Sequence, residues 1–170
     1  MVERLPYVIG DFTWTAWDYI GEAGIGKAVS VEKDDPLVEK GPAALMPQEA
    51  SPYPWRLAND ADFDITGHMR PQGAYRSVVW GSAKTYLFSR HPEDCGKTEI
   101  TSMWGFPAVA RNWNYSGYEN KPVEVLVFSV AEEVELIVNG ETVERKTVEK
   151  DGKLPNSVCF TLDFVPGILE

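Results

Sequence analysis

The stretch that most constrains the fold begins at Pro122, where the short β-rich runs VEVLVFS, VELIVNGETVERKTV and SVCFTLDFV are separated by turn residues. Val134, Leu136 and Val138 alternate with Glu133, Glu135 and Ile137, and Val158, Phe160, Leu162 and Phe164 recur at every second position. Successive side chains of a strand point to opposite faces, so a period of two gives each strand one apolar face for a shared core. Asn139-Gly140, between two such runs, is the kind of pair that accepts the positive φ angles of a two-residue hairpin turn. A β-sandwich with one face of each strand buried is the expected result. After Tyr118 the chain has no Trp or Tyr on which a sugar could stack, so this unit reads as a bracing domain rather than a carbohydrate-binding module.

Upstream the character changes, and all six tryptophans lie at or before Trp113. In YVIGDFTWTAWDYIGEAGIG, from Tyr7 to Gly26, the apolar run Tyr7 to Ile9 predicts a strand. Beyond it Trp14 and Trp17 stand beside Asp18 and Glu22 in a glycine-rich exit. Indoles next to carboxylates suit sugar recognition, because a flat apolar face covers the C–H side of a pyranose while carboxylates accept from its hydroxyls. The same residues also describe a buried strand whose tryptophans fill a core.

Lys27 to Ala61, with five prolines and mixed charge, lacks periodicity and is expected to be a long surface loop. Tyr53, Pro54 and Trp55 form its aromatic point; Trp55 either closes one wall of a sugar subsite or anchors the loop. Asp60, Asp62 and Asp64 alternate, which on an extended chain places all three on one face. The row lacks the glycine and closing glutamate of a calcium loop, so no metal site is expected. Pro71 can open a helix. Apolar residues from Tyr75 through Val78, Val79, Ala83, Tyr86 and Leu87 follow a helical period, with Tyr75, Val79 and Trp80 facing inward. In the bridging segment, Trp104 and Trp113 are expected to be buried.

The formal net charge of -10 and a pI near 4.7 argue against nucleic acid or an anionic membrane surface as partner. Cys95 and Cys159 are too few and too far apart for a disulfide framework and are read as free thiols. The first ten residues carry no signal-peptide pattern, and no apolar run reaches the roughly 20 residues that span a bilayer.

Three phrases, VIGDFTWTAWDYIGEAG, DFDITGHMRPQGAYRSVVWG and VFSVAEEVELIVNGETV, resemble in the same order parts of glycoside hydrolase family 2, the β-galactosidase and β-glucuronidase group. The resemblance implies an α/β plus all-β chain. Residues 1–107 would be the C-terminal remnant of a (β/α)8 TIM barrel, with strand 8, a long loop and helix 8. Residues 108–170 would form an immunoglobulin-like β-sandwich, read as truncated. It implies an internal piece of a longer retaining hydrolase acting on β-galactosides, with β-glucuronides as the alternative substrate class. The remainder of the parent polypeptide would be its partner, and no cofactor is expected.

Both catalytic glutamates belong, by the resemblance, to earlier barrel strands, so no catalytic residue is assigned here; Glu22 matches no catalytic position. Trp14 matches the aromatic platform beneath the sugar, and Asp18 a position that commonly fixes the loop. His68 replaces an aromatic or apolar residue that faces the sugar. With Trp55 these are the expected substrate contacts. Asp60, Ala61 and Asp62 stand where the family often has Cys-Gly-Asp, and only Asp62 agrees. The competing function is a non-catalytic carbohydrate-binding or structural protein.

Overall fold

The structure, a computed structural model, describes residues 5–10, 12–45 and 56–170. It is mostly β-sheet with few helices. In chain order the elements are strand β1 (Ala28–Val31), helix α1 (Pro36–Lys40), helix α2 (Pro71–Val79) and strands β2 (Tyr86–Ser89), β3 (Thr98–Thr101), β4 (Pro122–Phe128), β5 (Glu133–Val138), β6 (Glu141–Thr147) and β7 (Ser157–Asp163). Three antiparallel sheets result, β1 with β3, β2-β4-β7 in that order, and the hairpin of β5 with β6.

The sandwich forms as its sequence pattern requires. Leu136 and Val138 of β5 and Val158 and Phe160 of β7 are buried. Asn139 (φ 53°) and Gly140 (φ 83°) make the turn between β5 and β6 in the positive-φ conformation that such hairpins need. Val125 and Val127 of β4 join Leu136, Val148, Val158 and Phe160 in one core between the two sheets.

One expectation needs correcting here: β4 is buried on both faces rather than one. Its second face, with Leu126 and Phe128, packs with Phe88 of β2 against Ala74 and Val78 of α2. The central sheet is thus a middle layer between a helix and a hairpin, which is why its sequence runs almost continuously apolar from Val125 to Phe128.

Helix α2 is shorter than its apolar period suggested. Gly81 takes φ 93° just past the helix and its N–H bonds to the Val78 carbonyl at 3.0 Å, the left-handed termination that favours glycine. Tyr86 and Leu87 therefore lie on a strand, not on the helix. That strand pairs with β4, so an element before the boundary expected at 107/108 shares a sheet with one beyond it. Val79 and Trp80 are exposed, whereas Tyr75 packs half-buried on Phe128 as expected, beside the buried Gly73, Ala74 and Val78. Gly73 is required by proximity: a Cβ there would meet the Asp62 carbonyl oxygen at 2.5 Å. Gly73→Ala is expected to cost about 1–3 kcal/mol through the forced backbone shift, read as a lower urea midpoint at unchanged m.

Two further expectations fail. Tyr7–Ile9 forms no strand; Ile9 is fully exposed, and no described residue supplies the neighbouring strand that a parallel barrel strand needs on each side. The stretch from Lys27 is not all loop. Ala28–Val31 pairs with Thr98–Thr101, and Asp35 caps α1 by accepting from the Leu37 N–H at 2.8 Å, with Pro36 as the first helical residue. The half-buried Arg90 ties this region to the sandwich through ion pairs to Glu99 of β3 and Glu124 of β4. Cys95 and Cys159 are both free.

Candidate functional site

The backbone from Thr15 to Tyr19 is irregular but tethered to residues 58–63. The Asp62 and Phe63 N–H groups donate to the Thr15 and Ala16 carbonyls at 3.3 and 3.0 Å. Asp18 N–H donates to Phe63 at 2.9 Å, and Ala58 N–H to Tyr19 at 3.0 Å. Trp17 stacks on Phe63 with ring centroids 5.4 Å apart. This pairing fixes Trp14 at one end; the Trp14–Thr15 peptide bond is cis.

Trp14 is 73% exposed, too open for a core residue, and yet it is held. Its Nε1–H donates to the Tyr19 hydroxyl at 3.2 Å, and the two rings meet edge to face at 6.1 Å. The Tyr19 hydroxyl in turn donates to the Glu22 carboxylate, an acceptor that raises the tyrosine pKa. An exposed indole oriented by a hydrogen-bonded chain is a preorganised platform.

That platform borders a cavity of about 430 Å³. Trp14 and Trp104 supply its indoles, Tyr19, Glu22 and Asp60 its polar wall, and Ile25 and Met103 its remaining apolar surface. A neighbouring depression of about 360 Å³ shares Trp14, Trp104 and Asp60 and adds Tyr75, Arg76 and Phe106. Strand β3 delivers Trp104, which sits at φ 58° in the tight turn closed by the Gly105 N–H bond to Ser102 at 2.9 Å. At 63% exposure Trp104 is not the buried residue that was expected. Trp113 is the anchored one, its Nε1–H donating to the Val165 carbonyl at 3.1 Å and its ring edge to face with Phe164.

Asp60 is the unusual group of this site. Its residue is only 9% exposed, and its Oδ1 is the one buried side-chain polar atom without a partner among the described residues. Burial pushes its carboxyl above the ordinary carboxylate value, and the Glu22 charge adds to that against the pull of Arg70. The aspartates that alternate with it do not share a face with it. Asp62 pairs with Arg76 at 3.1 Å, while Asp64 accepts from the Thr66 and His68 N–H groups in a local turn.

The expected substrate contacts separate. Trp14 lies at the cavity. Asp18 does not: its side chain is fully buried, Oδ1 accepting from the Ala61 N–H at 3.3 Å and Oδ2 pairing with Arg70 at 2.5 Å, so both oxygens serve the fold. His68 is exposed beside Thr66 and Asp64 and lines a different depression, with Phe88 and Arg111, that shares no residue with the cavity of Trp14. Trp55 lies outside the described residues. Conversely, Trp104, Tyr19 and Asp60 were not singled out as contacts. A tryptophan before a glycine in a turn is the only local signal for Trp104, and Asp60 has none, because its unpaired oxygen arises from packing.

With this geometry in place, the chain can be compared with known proteins. Residues 120–170 match a domain of unknown function, DUF4982. No curated protein sequence matches the chain. Among solved structures it is similar to a glycosyl hydrolase family 2 member from Bacteroides cellulosilyticus, with a TM-score of 0.76 and 34% identity, covering 99% of this chain and 20% of that one. A second family 2 member, from Bacteroides cellulosilyticus DSM 14838, matches with a TM-score of 0.56 and 32% identity over 66% of this chain and 14% of that one.

The class defined by fold and sequence is therefore a relative of glycosyl hydrolase family 2. More particularly, the chain resembles one segment of such an enzyme, since it spans a fifth or less of the length of these two structures.

Proposed function

We propose that this chain is part of a retaining glycoside hydrolase of family 2, β-galactosidase-like, and supplies the platform and walls of the sugar site rather than its reacting carboxylates. The observation that carries this reading is Trp14, an exposed indole held in place by Tyr19 at the edge of a cavity that also presents carboxylates. In this reading the part of the chain before β2 completes a barrel whose other strands lie elsewhere in the parent polypeptide, and the glutamates that form and break the glycosyl-enzyme bond lie there too, about 5 Å apart. Support comes from the exposure of Ile9, Ile20 and Trp80, apolar groups of the kind that seat against further protein.

The chemical role follows from differential binding. An indole stacked under the pyranose fixes its height and tilt, so the scissile bond meets the reacting carboxylates in a productive pose. In the full-length parent enzyme, Trp14→Ala is expected to lower kcat/KM for 4-nitrophenyl β-D-galactoside by about 10- to 100-fold. Tyr19→Phe, which releases the indole without removing it, should lower it less. Unchanged kinetics for Trp14→Ala would refute the assignment.

A further inference from the structure

The reading above leaves open what the cavity discriminates, and Asp60 bears on that. Asp60 lines the Trp14 cavity, and its Oδ1 is buried with no donor among the described residues, an arrangement that is costly unless something donates to it. Arg70, whose charge acts on it, is not available as a donor, being engaged by Asp18 Oδ2 at 2.5 Å and Asn59 Oδ1 at 2.8 Å. Arg76, at the adjoining depression, is likewise engaged by Asp62 at 3.1 Å and by Thr13 at 2.5 Å. Among the described residues the cavity wall carries two carboxylates, Asp60 and Glu22, and no basic side chain.

We propose that Asp60 is the specificity-determining acceptor of this site. Its carboxylate takes a hydrogen bond from a hydroxyl of a neutral glycoside seated against the Trp14 and Trp104 indoles, and the Asp60 and Glu22 carboxylates together disfavour glycosides that carry a carboxylate. This rests on the carbohydrate-site reading of the cavity. The two halves of the claim have separate physical causes. An ionised acceptor in a partly desolvated wall strengthens a hydroxyl hydrogen bond, and the same charge repels a uronate in a medium that screens poorly.

The test is a binding titration of the full-length parent enzyme by saturation-transfer NMR, with the non-hydrolysable methyl 1-thio-β-D-galactoside and methyl 1-thio-β-D-glucuronide as probes. The unmodified protein is expected to bind the galactoside and to bind the glucuronide more weakly. Asp60→Ala should weaken galactoside binding by about 10- to 100-fold, the loss of a hydrogen bond to a charged acceptor. Asp60→Asn, which keeps an oxygen but not the charge, should lose less galactoside binding and narrow the gap between the probes. Trp104→Ala alters an exposed side chain, leaves folding intact by circular dichroism, and should also weaken the galactoside.

Galactoside binding that survives in Asp60→Ala but is lost in Trp14→Ala overturns this proposal and leaves the sugar site standing. An unmodified protein that binds neither probe, or a Trp14→Ala variant that binds as before, overturns the sugar site itself.

Discussion

Arg70→Met is expected to lower the free energy of unfolding by about 3–5 kcal/mol, because it leaves the buried Asp18 carboxylate without its countercharge. Asp18 has no solvent access to compensate, and its remaining partner is a single N–H from Ala61 at 3.3 Å. The loss also has a pH signature. Burial already pushes the Asp18 carboxyl above its ordinary value of 3.8, with Arg70 pulling it down; removing Arg70 drives it higher. A carboxyl whose folded pKa exceeds its unfolded one holds more protons when folded, so stability falls as pH rises through the interval between the two values. Arg70→Met should therefore be most stable in acid and lose stability toward neutral pH, more steeply than the unmodified protein. Thermal unfolding across pH measures this, and Asp18→Asn/Arg70→Met should flatten the added slope. A variant as stable as the parent at neutral pH would show that Asp18 is hydrated after all.

Phe128→Ala is the second large effect, expected to cost about 3–5 kcal/mol. The ring is fully buried and meets Tyr75, Phe88 and Phe106 at centroid separations of 5.3, 5.7 and 6.0 Å. It thus stands between α2 and the central sheet, and its removal opens a cavity that joins the two. Since all six tryptophans precede Pro122, indole fluorescence reports the segments before β4 and, through Trp113 on Phe164, one edge of the sandwich, whereas far-UV circular dichroism weights the strands. Both signals should shift to the same lower urea midpoint. Loss of one transition alone would mean that the sandwich and the helix layer unfold independently. Phe128→Leu, which retains most of the volume, should lose less.

These two residues also mark where local reading ends. Nothing near Arg70 in sequence identifies Asp18 as its partner, 52 positions away, and arginines flanking a helix are ordinarily surface groups. Phe128 ends a strand whose alternation suggested one buried face, and only the docking of α2 makes the second face a core.

The sequence by itself determined the elements whose rules are local. Alternation at every second residue set the strands β5 and β7, Asn139-Gly140 set the hairpin of β5 with β6 by tolerating positive φ, and Pro71 set the start of α2. Trp14 was legible too, as an indole next to carboxylates. Tertiary structure decided which carboxylate faces the cavity and which is spent on the fold, and it exposed Trp104 while anchoring Trp113. The physical reason is that alternation and turn chemistry depend on neighbours along the chain, whereas the burial and pairing of a charged or aromatic side chain depend on residues brought close only when distant segments pack.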